Sequence, residues 1–216
     1  MLHTRANASL SPGRVNPARI GQQALLAGAA VSFDVMTRAY ARVIADHCDP
    51  VSPGFVPGLG LGRVEFSALL QTYFSYFEAP RDWLKAQSAP VGGGGALEEY
   101  ADLVQLLSEH CIAGSDMQRW VIYLVAAACM GDNHLWQDLG LPHRAALSEL
   151  MNSHFPALAA KNIGDMKWKK FFYKQLCERA DIFICKAPVC NVCSDYDHCF
   201  GPEDVAGHDG ASQQPD

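Results

Sequence analysis

"SDMQRWVIYLVAAACM", residues 115–130, decides the fold class. From Trp120 to Met130 the run is nearly all apolar, yet well short of the roughly 20 residues that span a bilayer. Ser115 and Gln118 ahead of it have the spacing of a capping box, in which each side chain satisfies a free backbone N–H of the other residue. A helix start followed by a run with almost no polar face predicts a buried helix, and a buried helix needs other elements around it.

The flanking sequence supplies them. "EFSALLQTYFSYF", 65–77, places Phe66, Leu69, Leu70, Tyr73, Phe74 and Phe77 on one broad helical face. Leu97, Tyr100, Val104, Leu107 and Cys111 recur three and four apart, which predicts a second amphipathic helix. Between them "SAPVGGGG", 88–95, reads as a flexible linker, because nothing after the glycines would complete a phosphate loop. A further helix is expected around Phe33 to His47. Pro142 suits the first turn of a helix through "HRAALSELMNSH", and Pro156 then forces a break or restart. Asp165 is the expected N-cap of "MKWKKFFYKQLCERA", 166–180, where Trp168, Phe172 and Leu176 share a face. Convincing strand patterns are few, so the reading is all-α: a compact helical bundle with a C-terminal cysteine-rich loop and neither a repeat nor a second domain.

Composition agrees. A chain of 216 residues with 49% apolar side chains suits one domain with a real core. The 17 basic and 23 acidic residues leave a formal charge of -6, which argues against general attraction to nucleic acid or to an anionic membrane. Arg5, Arg14 and Arg19 before "ALLAGAAV" loosely imitate a secretory signal, but the polar, proline-containing "TRANASLSPGRVNPAR" reads as a disordered leader. The expected organisation is a leader over 1–31, a helical domain over 32–184, a cysteine-rich segment of the same domain over 185–203, and a disordered tail over 204–216. The expected compartment is the cytoplasm, where clustered cysteines bind metal or do redox chemistry more readily than they form disulfides.

That cluster is "CKAPVCNVCSDYDHCFGPE", 185–203, with the spacing C-x4-C-x2-C-x5-C at Cys185, Cys190, Cys193 and Cys199. Loops this short let four thiolates converge on one small inorganic centre. C-x4-C-x2-C is also the leading part of plant-type ferredoxin ligand spacing. Pro188 stiffens the first loop, and "SDYD" supplies turn formers in the last. Thiolates suit iron-sulfur clusters, zinc and copper(I) alike. The single C-x2-C pair and the position after the bundle favour an iron-sulfur centre over a zinc knot, and disulfides stand behind both.

Three stretches together, "HLWQDLGL" at 134–141, "MKWKKFFYKQLCE" at 166–178 and the cysteine segment, resemble the NifQ family, which handles molybdenum in nitrogen fixation. The likeness is dense from about Cys129 to Glu203 and thin before it, and Asn191 stands where an acidic residue is more usual. What the resemblance implies is a molybdenum-iron-sulfur cluster on Cys185, Cys190, Cys193 and Cys199. It also implies molybdenum donation to iron-molybdenum cofactor assembly, the NifEN scaffold and the reductase NifH as partners, and molybdate as the source. An iron-sulfur electron carrier or a zinc-stapled interaction module remains the alternative.

Molybdenum in a cubane with three irons needs more donors than one cysteine, and His198 or Asp195 is a candidate beside solvent. His134 is a candidate metal ligand, with helix capping or packing as the plainer role. Cys177 is a candidate fifth thiol, with a half-buried packing role as the alternative, and Cys48, Cys111 and Cys129 read as core. Lys167, Lys170 and Lys174 form one stripe, either a solvated face or one that attracts molybdate or offsets the negative charge of a thiolate-ligated cluster. A zinc-protease His pair, a nucleophile elbow and a P-loop are all missing, so the chain is not expected to be an enzyme.

Overall fold

The apolar run at 120–130 lies at the centre of the molecule. In the computed structural model, which describes residues 20–31, 34–50, 55–89, 95–112, 114–181, 194 and 196–203, α6 (Asp116–Cys129) has Leu124, Val125, Ala126, Ala127 and Ala128 all fully buried. Gln118 Oε1 accepts from the Ser115 amide at 3.1 Å, so the capping box forms as its spacing predicts.

Around α6 stand α1 (Gln22–Ala27), α2 (Val35–His47), α3 (Arg63–Tyr73), α4 (Arg81–Ala86), α5 (Gly95–His110), α7 (Leu135–Asp138), α8 (Arg144–His154), α9 (Pro156–Ala159), α10 (Trp168–Arg179) and α11 (Tyr196–Phe200). A short 3-10 turn, Pro57–Gly60, joins α2 to α3, and no strand occurs among the described residues. α2 and α5 pack on α6, α10 packs on α5, and α7, α8 and α9 follow one another along the edge. The fold is all-α and compact, as read from the sequence.

Leu103, Leu106, Leu107 and Tyr100 are the buried face of α5, and the Tyr100 hydroxyl donates to the Leu59 carbonyl at 2.7 Å. Gln87, only 3% exposed, ties α4 inward: its Nε2 donates to the Cys48 carbonyl at 2.8 Å and its Oε1 accepts from the Gly58 amide at 2.9 Å. Hydrogen bonds at both ends offset the cost of burying this amide. Pro156 opens α9 at its first position, as expected.

Several local expectations are corrected. Part of the 1–31 leader is folded: α1 lies inside it, Leu25 is fully buried, and α1 packs on α2, because "ALL" supplies an apolar face that the polar residues before it lack. α3 stops at Tyr73, not at Phe77; the chain turns at Phe74, whose ring is buried, and the Tyr76 amide pairs with the Gly28 carbonyl at 2.9 Å. α8 starts after Pro142, with His143 as N-cap accepting from the Ala146 amide through Nδ1 at 3.1 Å. Asp165 does not cap α10. Its φ of 53° puts it in a left-handed turn, and its carboxylate faces Arg144. Of "SDYD", Ser194 lies in a turn as expected, and Tyr196 then opens the short helix α11. Most of the glycine linker, the tail from 204, and Cys185, Cys190 and Cys193 lie outside the described residues.

Candidate functional site

The start of α10 is where the C-terminal segment meets the bundle. Asn162 clasps the turn before it, its Oδ1 accepting from the Met166 amide and its Nδ2 donating to the Met166 carbonyl, both at 2.9 Å. Arg144 Nη2 donates to the Asp165 carbonyl at 2.7 Å, to Asp165 Oδ1 at 2.9 Å and to the Met166 carbonyl at 3.2 Å. This collar fixes Lys167, the N-cap of α10. The Lys167 amide then donates to the Cys199 carbonyl at 2.8 Å, and its Nζ to the Asp197 carbonyl at 3.1 Å. α11 is thereby pinned to the head of α10. Gly201 follows it closely, since a Cβ there would stand 2.5 Å from the Asp197 carbonyl oxygen.

The opposite wall is the loop from Gly131 to His134. Lys169, half-buried on the first turn of α10, donates to the Gly131 carbonyl at 2.6 Å and to Asp138 Oδ2 at 2.5 Å. Asp138, itself buried, also accepts from the Asn133 amide at 3.2 Å and from Asn133 Nδ2 at 2.9 Å. Gly131 is required here, because a Cβ would lie 2.5 Å from the Asp138 carboxylate. His134 caps α7, its amide donating to Gln137 Oε1 at 3.1 Å. Capping, the plainer of its two expected roles, is therefore filled, and its ring still lines the space beyond.

Between these walls lies a cleft of about 600 Å³, lined among others by His134, Gln137, Lys167, Lys170, His198 and Glu203. Glu203 has a side chain only 5% exposed; its Oε1 is 3.8 Å from His134 Nδ1 and 4.0 Å from Arg144 Nε. Imidazole, carboxylate and ammonium groups thus face one space, with Cys199, half-buried, on the short helix that borders it. Among the described residues, no three His, Cys, Asp or Glu side chains stand close enough to hold a metal ion by themselves. Any centre here needs donors from the cysteine segment as well.

The candidates sort accordingly. His198 and His134 line the cleft, Cys199 packs half-buried against the core next to His198, and Asp195 lies outside the described residues with the other three cysteines. Cys177 is half-buried on α10. Cys48 and Cys129 are core: burial pushes each thiol up to about 12, with Lys169 pulling Cys129 weakly the other way. Cys111, just past α5, is partly buried against the core. The lysine stripe divides, since Lys167 and Lys170 line the cleft while Lys174 faces Glu178 at 3.8 Å.

Lys169, Asp138, Arg144 and Glu203 are the residues that sequence reasoning missed. Asp138 carried a signal: a carboxylate flanked by Leu135, Trp136 and Leu139 needs a buried partner. Glu203 carried none beyond its place in a familiar stretch.

The fold and the cleft define an all-α protein whose cysteine-bearing C-terminal segment is fastened to the start of one helix beside a polar cleft. The NifQ family model matches residues 39–201, and the chain belongs to the NifQ family of nitrogen fixation. It is 43% identical to Protein NifQ of Azotobacter vinelandii over 106 residues, 49% of this chain and 54% of that one. It is 44% identical to Protein NifQ of Rhodobacter capsulatus over 85 residues, 39% of this chain and 47% of that one. The chain spans about half the length of the curated relatives it matches. No solved structure matches it. Among the described residues no helix is long and apolar enough to cross a membrane.

Proposed function

We propose that the protein is a non-catalytic cytoplasmic molybdenum carrier. It holds molybdenum in an iron-sulfur cluster on Cys185, Cys190, Cys193 and Cys199, and donates it to iron-molybdenum cofactor assembly. Molybdate is the source, and NifEN and NifH are the partners in transfer. The observation that supports this most directly is the hydrogen bond from the Lys167 amide to the Cys199 carbonyl, which keeps the last cysteine of the segment beside a cleft with imidazole and carboxylate groups.

The chemistry of the donor set agrees. Thiolates suit iron and sulfide, whereas imidazole and carboxylate suit a metal that also takes nitrogen and oxygen. A centre held by thiolates on one side and by weaker donors on the other has a face from which a metal can leave. Anaerobic purification with iron, molybdenum and sulfide analysis and visible spectroscopy tests the reading. Molybdenum with iron and sulfide is expected, and alanine at any one of the four cysteines should abolish donation while the circular dichroism of the bundle stays. Iron and sulfide without molybdenum would make the protein an electron carrier, and zinc alone a stapled module.

A further inference from the structure

A second concavity, of about 380 Å³, lies between α3 and α4 and shares no residue with the cleft beside α10. α3 lines it with Arg63, Phe66 and Ser67, and α4 with the turn after it supplies Arg81, Leu84, Lys85 and Ser88. These positions recur three and four apart, so one face of each helix borders the same groove. Buried Phe66 and half-buried Leu84 make its floor apolar. Ser67 and Ser88 return their hydroxyls to the carbonyls of Arg63 and Leu84, at 2.8 and 3.1 Å, and leave the groove open. The floor is anchored from behind. Trp83 Nε1 and Gln87 Nε2 both donate to the Cys48 carbonyl, at 3.1 and 2.8 Å, and the Phe66 ring centre lies 5.9 Å from that of Trp83. The groove therefore exists before anything binds, which lowers the ordering cost of filling it.

Its rim is cationic although the chain carries a net charge of -6. Arg63, Arg81 and Lys85 are exposed, and among the described residues no carboxylate lines the groove. Arg63 and Arg81 have no ion pair among the described residues. Each is the first residue of its helix, where the free N–H groups of the first turn disfavour a cation. The acids of the same turns are engaged: Glu65 pairs with Arg119, and Asp82 meets Lys85 at 3.5 Å with both side chains at least 80% exposed, a pair that contributes little. Two unpaired arginines opposed by their own helix ends do nothing for stability, so what they meet from outside is the better account of them.

We propose that the groove is a docking site for an acidic, amphipathic helical segment of a partner protein. Its apolar side chains lie on Phe66 and Leu84, and its carboxylates meet Arg63, Arg81 and Lys85. Charge complementarity selects this occupant. A small anion uses the cations and leaves the apolar floor unfilled, and an anionic membrane is too flat to reach a floor set between two helices. The site uses none of the cleft residues and none of the cysteines, so it stands apart from the carrier function and holds whether or not that function does.

The test titrates full-length reduced protein into a fluorescein-labelled peptide of about 14 residues, with leucines three and four apart on one face and glutamates elsewhere, and reads anisotropy. Wild type should bind saturably, and less tightly as salt rises. The double variant Arg63→Gln, Arg81→Gln removes two exposed charges without touching the core. It should keep the wild-type circular dichroism and weaken binding about tenfold or more, which corresponds to about 1.4 kcal/mol. Leu84→Gln should weaken it about threefold or more. Absence of saturable binding to wild type, or equal affinity in the double variant, would overturn the inference. Equal affinity for a peptide with serine in place of every leucine would reduce the groove to a site for small anions and overturn it as well. So would tighter binding to phosphatidylserine vesicles than to the peptide, which would assign the face to a membrane. Self-association of wild type that the double variant abolishes would make a second copy the occupant in place of a partner. Molybdenum carriage is read separately, by metal analysis, and none of these outcomes bears on it.

Discussion

Lys169 shows how one side chain can organise a site without facing it as a candidate ligand. Its ammonium, half-buried, joins the first turn of α10 to the loop that presents His134, through Gly131 and Asp138. Removing one member of such a pair leaves the other charged and buried, which costs far more than the pair itself contributes. Lys169→Met should therefore lower stability by about 3 kcal/mol in urea unfolding. Asp138→Asn keeps an acceptor but strands the Lys169 ammonium, so it should cost a comparable amount. A cost less than half as large would mean that hydrogen bonding, and not charge, holds this position. Asp138 was open to suspicion in the sequence, as a carboxylate among apolar residues, but nothing in the sequence names Lys169 as its partner, 31 positions away. The same holds for Arg144 and Asp165, whose pairing replaced the expected cap.

At the scale of elements, α10 does most to place the site. Its apolar face, Trp168 and Phe172, was legible from spacing and is buried as expected; its C-terminal end was legible too, while its N-cap was not. The lysine stripe follows the helical repeat, yet the bundle gives its members different surroundings. Lys167 is spent partly on the Asp197 carbonyl and, with Lys170, faces the cleft; Lys174 faces Glu178. Neutralising the cleft pair with Lys167→Gln and Lys170→Gln should slow molybdate uptake about threefold or more at low salt, with the difference shrinking as salt rises. Lys174→Gln should leave uptake unchanged. Uptake that follows the number of lysines removed, irrespective of position, would show that the whole stripe acts as a diffuse field.

For the whole molecule, the buried titratable groups set how stability depends on pH. Burial pushes the thiols of Cys48 and Cys129 from 9.0 to about 12, and raises the hydroxyls of Tyr40 and Tyr100 as well. A group whose pKa is raised on folding contributes its full stabilisation below the unfolded value and loses it as pH climbs to the folded one. The urea midpoint of the reduced, metal-free chain should therefore hold near pH 8 and fall steadily from about 9 upward. A Cys48→Ala, Cys129→Ala chain should fall less steeply, the remaining slope belonging to the tyrosines. Identical slopes would remove the core thiols as the cause. His154 acts in the other direction: its half-buried ring has a lowered pKa, so its contribution is present above the unfolded value and lost on acidification.

The sequence alone determined that this protein is all-α, that residues 120–130 form its centre, and that four closely spaced cysteines follow the last long helix. Those properties are periodic or local: apolar spacing, a capping pair and thiol spacing are all written within one or two turns of chain. Only the tertiary structure decided where α3 ends and where α10 begins, because the buried Phe74 and the Arg144-bound Asp165 take their conformations from partners distant in sequence. It likewise decided that His134, Lys167, Lys170, His198 and Glu203 share one cleft. That cleft joins residues from 132 to 203, and the contacts that close it are backbone hydrogen bonds and buried ion pairs, which leave no periodic mark in a sequence.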